Sequence, residues 1–202
     1  MATAFKNFLD LVYNHFNAVE KKRVLEIHRN YGTRIEKWLQ VEIGLALDDK
    51  LKTNDQNLFF RDWGLEVPEY TTSKNHKAHC DIYTTTKDGN FFPVSGDNDA
   101  LWIELKCRTT MDVGGRSSLK SGFEKDIAKL RLTANHQSGH FIFVAIIIFD
   151  KTKSTNEKTV KKWKDIFPNI GDCAFVVDKV VKEIKCQNDE LLAFLIGIEF
   201  KF

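Results

Sequence analysis

Apolar residues in the first fifty positions recur at a helical period. Between residues 5 and 29 their spacings are mostly three and four, which predicts an amphipathic helix over 5–29. Gly32 interrupts this pattern. A second helix is predicted from Thr33 to about Leu51, where Thr33 and Glu36 form the T-x-x-E pattern of a capping box. The chain is therefore expected to begin with two helices.

Beyond residue 76 the pattern becomes that of β-strands. Short β-rich runs predict strands over 79–85, 90–94, 100–108, 141–149, 174–177 and 191–200. A helix over roughly 120–136 is predicted between the third and fourth of these strands. A strand–helix–strand passage favours a parallel pair inside a mixed sheet flanked by helices. The predicted fold class is therefore α/β, and the segments 58–60 and 65–70 could add short strands.

The composition restricts the number of domains and the classes of protein to consider. The chain has 202 residues, of which 43% are hydrophobic and 29% charged, and it shows no internal repeat, which predicts a single domain over 1–202. A formal net charge of +2 does not by itself indicate a nucleic-acid-binding protein, so such a claim depends on where the charges lie. Four cysteines without a CxxC pair, and a start without signal-peptide features, predict a cytoplasmic protein with no membrane partner.

Two charged residues lie on one face of the predicted strand 100–108. Strand alternation places Glu104 and Lys106 on the same side as Trp102. One interpretation is a solvated face with a weak ion pair. Asp81 favours another, because Asp is disfavoured inside strands and this one lies in a β-rich run that a hairpin would bring alongside.

Asp81 and Glu104 are thereby expected to meet across neighbouring strands. Two adjacent carboxylates raise each other's pKa unless a cation lies between them, and paired oxygen ligands suit Mg²⁺. A lysine beside such a cation can position a water molecule or neutralise negative charge that builds up on a phosphate in the transition state. Together with Lys106, the two carboxylates predict hydrolysis of phosphodiesters.

The same residues resemble the motif of the PD-(D/E)XK nuclease superfamily, which includes type II restriction endonucleases and archaeal Holliday-junction resolvases. The resemblance rests on Asp81, on Glu104-Leu105-Lys106 and on the spacing Gly32-x-x-x-Glu36 in the preceding helix. One residue departs from the pattern, since Cys80 stands where the family often has proline.

The predicted order of elements is also similar to that superfamily's αβββαβ core. The similarity covers roughly residues 30–150, with the N-terminal helix 5–29 and the C-terminal segment 151–202 as additions. The resemblance therefore implies a restriction-endonuclease-like core, with a mixed central sheet flanked by helices.

The resemblance implies a role for each matching residue. Asp81 and Glu104 would bind Mg²⁺, with the Leu105 carbonyl as a further ligand, and Mn²⁺ would substitute for Mg²⁺. Lys106 would be the catalytic lysine. Glu36 would be the catalytic-site acid of the first core helix.

Glu36 has a structural alternative, because it also fits a cap with Thr33. Glu42, six residues later in the same predicted helix, is a rival for the acid that faces the site. The spacing from Gly32 favours Glu36.

Basic residues near the predicted site are candidates for binding DNA. Arg108 and Arg116 flank a glycine-bearing segment that is either a phosphate-gripping loop or an ordinary flexible connection. Lys125 and Lys129 follow on the next predicted helix, where related nucleases often carry a basic residue. Lys129 could instead pair with Asp126, three positions before it.

These expectations combine into a metal-dependent DNA endonuclease of restriction or defence type. At 202 residues there is little room for a separate recognition domain, so cutting both strands would require a homodimer or a partner subunit that supplies specificity. Two alternatives stay open at this point. One is a non-catalytic nucleic-acid-binding or assembly module on the same fold, and the other is a ribonuclease.

Overall fold

The computed structural model describes most of the predicted helices and strands. The described residues are 4–18, 20–22, 25, 35–52, 62–68, 79–85, 100–109, 116–135, 137–150, 175–186 and 191–202. Helices run over Ala4–Phe16 (α1), Ile35–Lys52 (α2) and Arg116–Ala134 (α3). Strands run over Asp62–Pro68 (β1), His79–Thr85 (β2), Leu101–Thr109 (β3), His140–Asp150 (β4), Val176–Ile184 (β5) and Leu191–Phe200 (β6).

The six strands form one mixed sheet in the order β1-β2-β3-β4-β6-β5. β3 and β4 are parallel, and each other neighbouring pair is antiparallel. A parallel pair needs a crossover connection, and α3 lies between these two strands in the chain. The predicted α/β class and the parallel pairing around a helix are confirmed.

Helices cover both faces of the sheet. In β3, Ile103, Leu105 and Cys107 belong to the apolar core formed with α1 and α2. Trp102 belongs to a second core on the opposite face, which includes Phe123 of α3. β4 is buried along residues 141–148, as expected for a strand that is covered on both sides. Glu104 and Lys106, which alternate with the first set, lie on the α3 face.

Several predicted boundaries are wrong. The helix predicted over 5–29 is interrupted, since α1 ends at Phe16 and the following two residues form a turn and a bend. Asn17, a residue type favoured just beyond helix ends, stands at this point. The strand predicted over 174–177 extends over Val176–Ile184. Its charged positions conceal the strand pattern in the sequence.

The segment after the third predicted strand is also shorter than expected. Arg108 lies within β3 and Arg116 begins α3, so neither belongs to a connecting loop. The predicted strand 90–94, together with Gly32 and Thr33, lies outside the described residues. Among the helices that are described, none is long and apolar enough to cross a membrane.

Gly197 marks a close approach between β6 and α1. A Cβ added at this position would lie 2.9 Å from Leu9 Cγ, with both Cδ carbons nearer still. Leu9 is buried in the core between this helix and the sheet, so its side chain has little space to move away. The small residue thus allows α1 to lie directly on the strand.

We expect Gly197→Ala to lower the free energy of unfolding by about 1–3 kcal/mol, because the added methyl group overpacks this contact. Chemical denaturation measures the change. In a Leu9→Ala background the same substitution should cost less, since the opposing side chain is gone. An equal cost in both backgrounds would contradict the contact as the cause.

Candidate active site at the fork between two strands

The candidate site lies where β2 separates from β3. The two strands pair from Thr84–Leu101 to Ile82–Ile103, and the pairing ends there. β2 continues beside β1 as far as His79. We call the opening between residues 79–81 of β2 and 104–107 of β3 the fork. Asp81 and Glu104 would have been the next partners in the register, and they lie at its apex.

Side chains take over hydrogen bonds that β2 no longer provides. Three alternate amides of β3, starting at the last paired residue, donate to side chains of β2 and α2. They are Ile103 N to Cys80 Sγ at 3.2 Å, Leu105 N to Asp81 Oδ2 at 2.7 Å and Cys107 N to Glu36 Oε1 at 3.5 Å. Buried amides are almost always bonded, so these side chains are tied to the backbone of β3. Cys80, the departure from the family pattern, is one of these acceptors.

Asp81 receives a second hydrogen bond from α2. Gln40 is 4% exposed, and its Nε2 donates to Asp81 Oδ1 at 2.7 Å. Each oxygen of the Asp81 carboxylate therefore accepts a bond from a different element. Gln40 lies one helical turn after Glu36, so one face of α2 supplies both residues to the fork.

Glu104 is almost fully buried, with 2% exposure, although it carries a carboxyl group. Lys129 Nζ of α3 lies 2.7 Å from its Oε1. The Lys129 ammonium group is therefore a positive charge in direct contact with this buried carboxyl group. Burial raises the pKa of Glu104 to about 9, the nearby Asp81 and Asp126 carboxylates raise it further, and Lys129 opposes the rise. The register of β2 and β3 also makes Asp81 the residue next in line opposite Glu104, at the apex of the fork.

Lys106 lies between two further carboxylates. Its Nζ is 2.9 Å from Asp126 Oδ2 of α3 and 3.6 Å from Glu36 Oε1 of α2. Burial raises the pKa of Asp126, and Lys106 partly offsets that effect. The lysine predicted to be catalytic is therefore held between two helices that cover opposite faces of the sheet.

The side chains at the fork carry an excess of negative charge. Its ionisable members are the carboxyl groups of Asp81, Glu104, Asp126 and Glu36 and the ammonium groups of Lys106 and Lys129. With Glu104 protonated, as its raised pKa implies, these described groups carry three negative and two positive charges and a net charge of −1. Ionisation of Glu104, which a cation beside it would favour, makes the net charge −2.

The residues present fit such a cation. Within the described part of the chain there is no group of three or more His, Cys, Asp or Glu side chains arranged to hold a metal ion. The ligand set implied by the resemblance has two carboxylates, Asp81 and Glu104, and completes itself with the Leu105 carbonyl and water. These are oxygen donors of the kind that Mg²⁺ prefers, and the Glu104 carboxyl group already lies beside one positive charge, the ammonium group of Lys129.

The two candidate acids of α2 face different neighbours. Glu36 faces the fork, whereas Glu42 faces α1, where His15 Nε2 lies 2.8 Å and Lys21 Nζ 2.6 Å from its Oε2. Burial raises the pKa of Glu42, but the hydrogen bonds and attraction of Lys21 and His15 outweigh it and leave the pKa below its usual value. Glu42 therefore joins the helices, away from Lys106.

The predicted DNA-binding residues are distributed differently. Lys129 reaches Glu104 in the fork, and its expected neighbour Asp126 makes its close ion pair with Lys106. Lys125, one turn earlier on α3, is exposed. For Arg108 and Arg116 the structure places the backbone, in β3 and at the start of α3.

Two residues of the site escaped the sequence analysis. Gln40 carries a signal, because it stands four positions after Glu36 and therefore on the same helical face. Asp126 entered only as a possible partner of Lys129, three positions away. The hydrophobic pattern placed α3, but it did not reveal that Asp126 and Lys129 reach different residues of β3.

Three comparisons with known proteins add no assignment. A scan against protein-family models found no match, and neither the curated proteins nor the solved structures contain one. The site is therefore interpreted from its own residues.

Glu104→Gln should stabilise the protein in alkaline conditions. The folded protein keeps the Glu104 proton up to about pH 9, whereas the unfolded chain loses it near the usual pKa of 4.5. Folding therefore binds a proton between these values, and the wild-type free energy of unfolding falls as the pH rises, by at most about 1.4 kcal/mol per pH unit. The neutral amide removes this dependence.

Urea denaturation in EDTA at pH 5, 6.5 and 8 measures the difference. We expect the variant to gain stability relative to wild type as the pH increases, and Glu42→Gln to show no such gain. A difference between Glu104→Gln and wild type that does not change with pH would contradict the environment described for Glu104.

Proposed function

We propose that this chain is a divalent-metal-dependent endonuclease that hydrolyses DNA phosphodiesters on a restriction-endonuclease-like core. One observation carries the proposal. Two residues that match the PD-(D/E)XK motif, Asp81 and Glu104, stand opposite each other where two strands separate, and the third, Lys106, follows two positions along β3. Glu36, Lys106 and Lys129 keep part of their side-chain surface exposed at the fork, and a phosphodiester can approach there.

Asp81, Glu104 and the Leu105 carbonyl would hold Mg²⁺ or Mn²⁺. When bound, the cation supplies polarisation of a phosphate oxygen and a lower pKa for a coordinated water molecule. The carboxyl groups at the fork, which outnumber its ammonium groups among the described residues, support a cation there.

Lys106 supplies a positive charge beside the scissile phosphate. Asp126 and Glu36 hold its Nζ from two sides, so its position is fixed before substrate arrives. From there the ammonium group can orient the attacking water and neutralise charge on the phosphate oxygens in the transition state. Asp126 and Glu36 act on the reaction through this placement.

Basic residues on α3 provide the contact to the polymer. Lys129 is partly exposed, and Lys125 is one turn away on the same helix. Both can bind backbone phosphates without reading sequence. Arg108 and Arg116 stay candidates for the same role. Because the described residues form one such fork in each chain, cutting both DNA strands calls for a homodimer or a specificity subunit.

Purified protein should cleave plasmid DNA in Mg²⁺ or Mn²⁺ and not in EDTA. We expect Asp81→Asn and Lys106→Met each to reduce the cleavage rate by about 100-fold or more, since each removes a charged group at the reacting phosphate. Glu42→Gln is the matched control, because it removes one charge from α2 on the side that faces α1. It should cleave at the wild-type rate.

The same assay distinguishes the alternatives. Cleavage of single-stranded or duplex RNA in place of DNA would identify a ribonuclease. DNA binding without cleavage in either metal, unchanged by Asp81→Asn, would indicate a non-catalytic module and would contradict the proposal. Cleavage that survives both Asp81→Asn and Lys106→Met would show that the reaction takes place elsewhere.

A further inference from the structure

We propose that Gln40 is a positioning residue that fixes the Asp81 carboxylate for cation binding, an inference that rests on the proposed function. Gln40 lies outside the motif that suggested the site. Its side chain is buried, belongs to α2, and reaches across to β2. This hydrogen bond affects the orientation of the Asp81 carboxylate.

Asp81 stands at a point where the backbone no longer determines the direction of its side chain. On its β3 side, β2 has lost its partner strand, and the Leu105 amide binds Oδ2 at 2.7 Å. A carboxylate held through one oxygen can still turn about that contact. The Gln40 amide on Oδ1, also at 2.7 Å, comes from another element and fixes the plane of the group.

The chemistry of the donor matters as much as its place. Gln40 is neutral, so it orients Asp81 without cancelling its charge. Glu104, in contrast, faces the ammonium group of Lys129 at 2.7 Å. The two carboxyl groups of the fork thus receive different contacts, since neutral N–H donors from Leu105 and Gln40 bind Asp81 and a cationic group lies against Glu104. The Gln40 amide orients Asp81 without adding a positive charge that would compete with a metal ion.

A role limited to packing would have a different signature. Gln40 is 4% exposed, and substituting it by an apolar residue would then change stability alone. Groups that orient a metal ligand typically contribute 10–100-fold to metal affinity. Affinity for the cation, measured apart from turnover, therefore separates the two roles.

The test is Mn²⁺ binding by isothermal titration calorimetry to wild type, Gln40→Met and Glu42→Gln. Methionine has a similar length but no N–H donor. Glu42→Gln alters the same helix on its opposite side, at the contacts with His15 and Lys21. We expect Gln40→Met to bind Mn²⁺ about 10–100-fold more weakly, and Glu42→Gln to bind within twofold of wild type.

Thermal unfolding in EDTA and cleavage as a function of Mn²⁺ concentration complete the experiment. In Gln40→Met the Mn²⁺ concentration for half-maximal cleavage should rise by the same factor as the dissociation constant, with the rate recovered at saturating metal. If this variant does not unfold cooperatively, Gln40→Asn replaces it. Asparagine keeps the amide but withdraws it by one methylene, and the same weakening is expected.

Each result has a defined meaning. If wild type binds Mn²⁺, Asp81→Asn does not, and Gln40→Met binds like wild type, the positioning role is wrong while the proposed function stands. If Mn²⁺ binds and depends on Gln40 but no nucleic acid is cleaved, the proposed function fails and the positioning role holds. Wild type without Mn²⁺ binding would overturn both.

Discussion

The separation of β2 from β3 sets the condition on which the rest of this site depends. A strand inside a sheet has its amides paired on both sides, but after the Ile82–Ile103 pair this side of β3 pairs with no strand among the residues that the structure describes. Amides left unbonded in a protein interior cost about 1–3 kcal/mol each. A sulfur atom and two carboxylates meet that demand instead. The side chains that satisfy the backbone of β3 here are therefore also the ones that form the candidate active site.

At the fork, side chains from the two faces of the sheet contact each other. α2 lies over one face and α3 over the other, with separate apolar cores. At the fork, Glu36 and Gln40 from the first helix meet Asp126 and Lys129 from the second through residues of the strands. Lys106 and Lys129 each lie beside at least one carboxyl group, so the positive charges of the fork are paired while its carboxyl groups outnumber them.

The sequence predicted the strands and helices better than it predicted the contacts between their side chains. Alternation identified β3, and the unusual Asp in β2 pointed to the correct neighbouring strand. The rule for strand–helix–strand units then gave the parallel pair. These predictions succeed because periodicity is a local property. β5 was largely missed, since a strand with one exposed side carries charges that resemble a surface segment.

The choice between Glu36 and Glu42 lay beyond the sequence for a physical reason. Both residues are in the same helix, and their roles depend on which neighbours α2 meets on each side. Only tertiary packing places Lys21 and His15 against one of them and Lys106 against the other. Gln40 escaped notice because a polar residue in a helix ordinarily faces solvent.

Most of the contacts at the fork join residues far apart in the chain. Gln40 and Asp81 are 41 positions apart, and Glu36 and Cys107 are 71 apart. The constellation is completed by α3, whose residues emerge last during synthesis. A ribosome-bound chain that has not yet produced this helix lacks Asp126 and Lys129. The charged groups of the fork therefore reach their final arrangement only after translation has passed this segment, and every earlier intermediate leaves Lys106 and Glu104 without these partners.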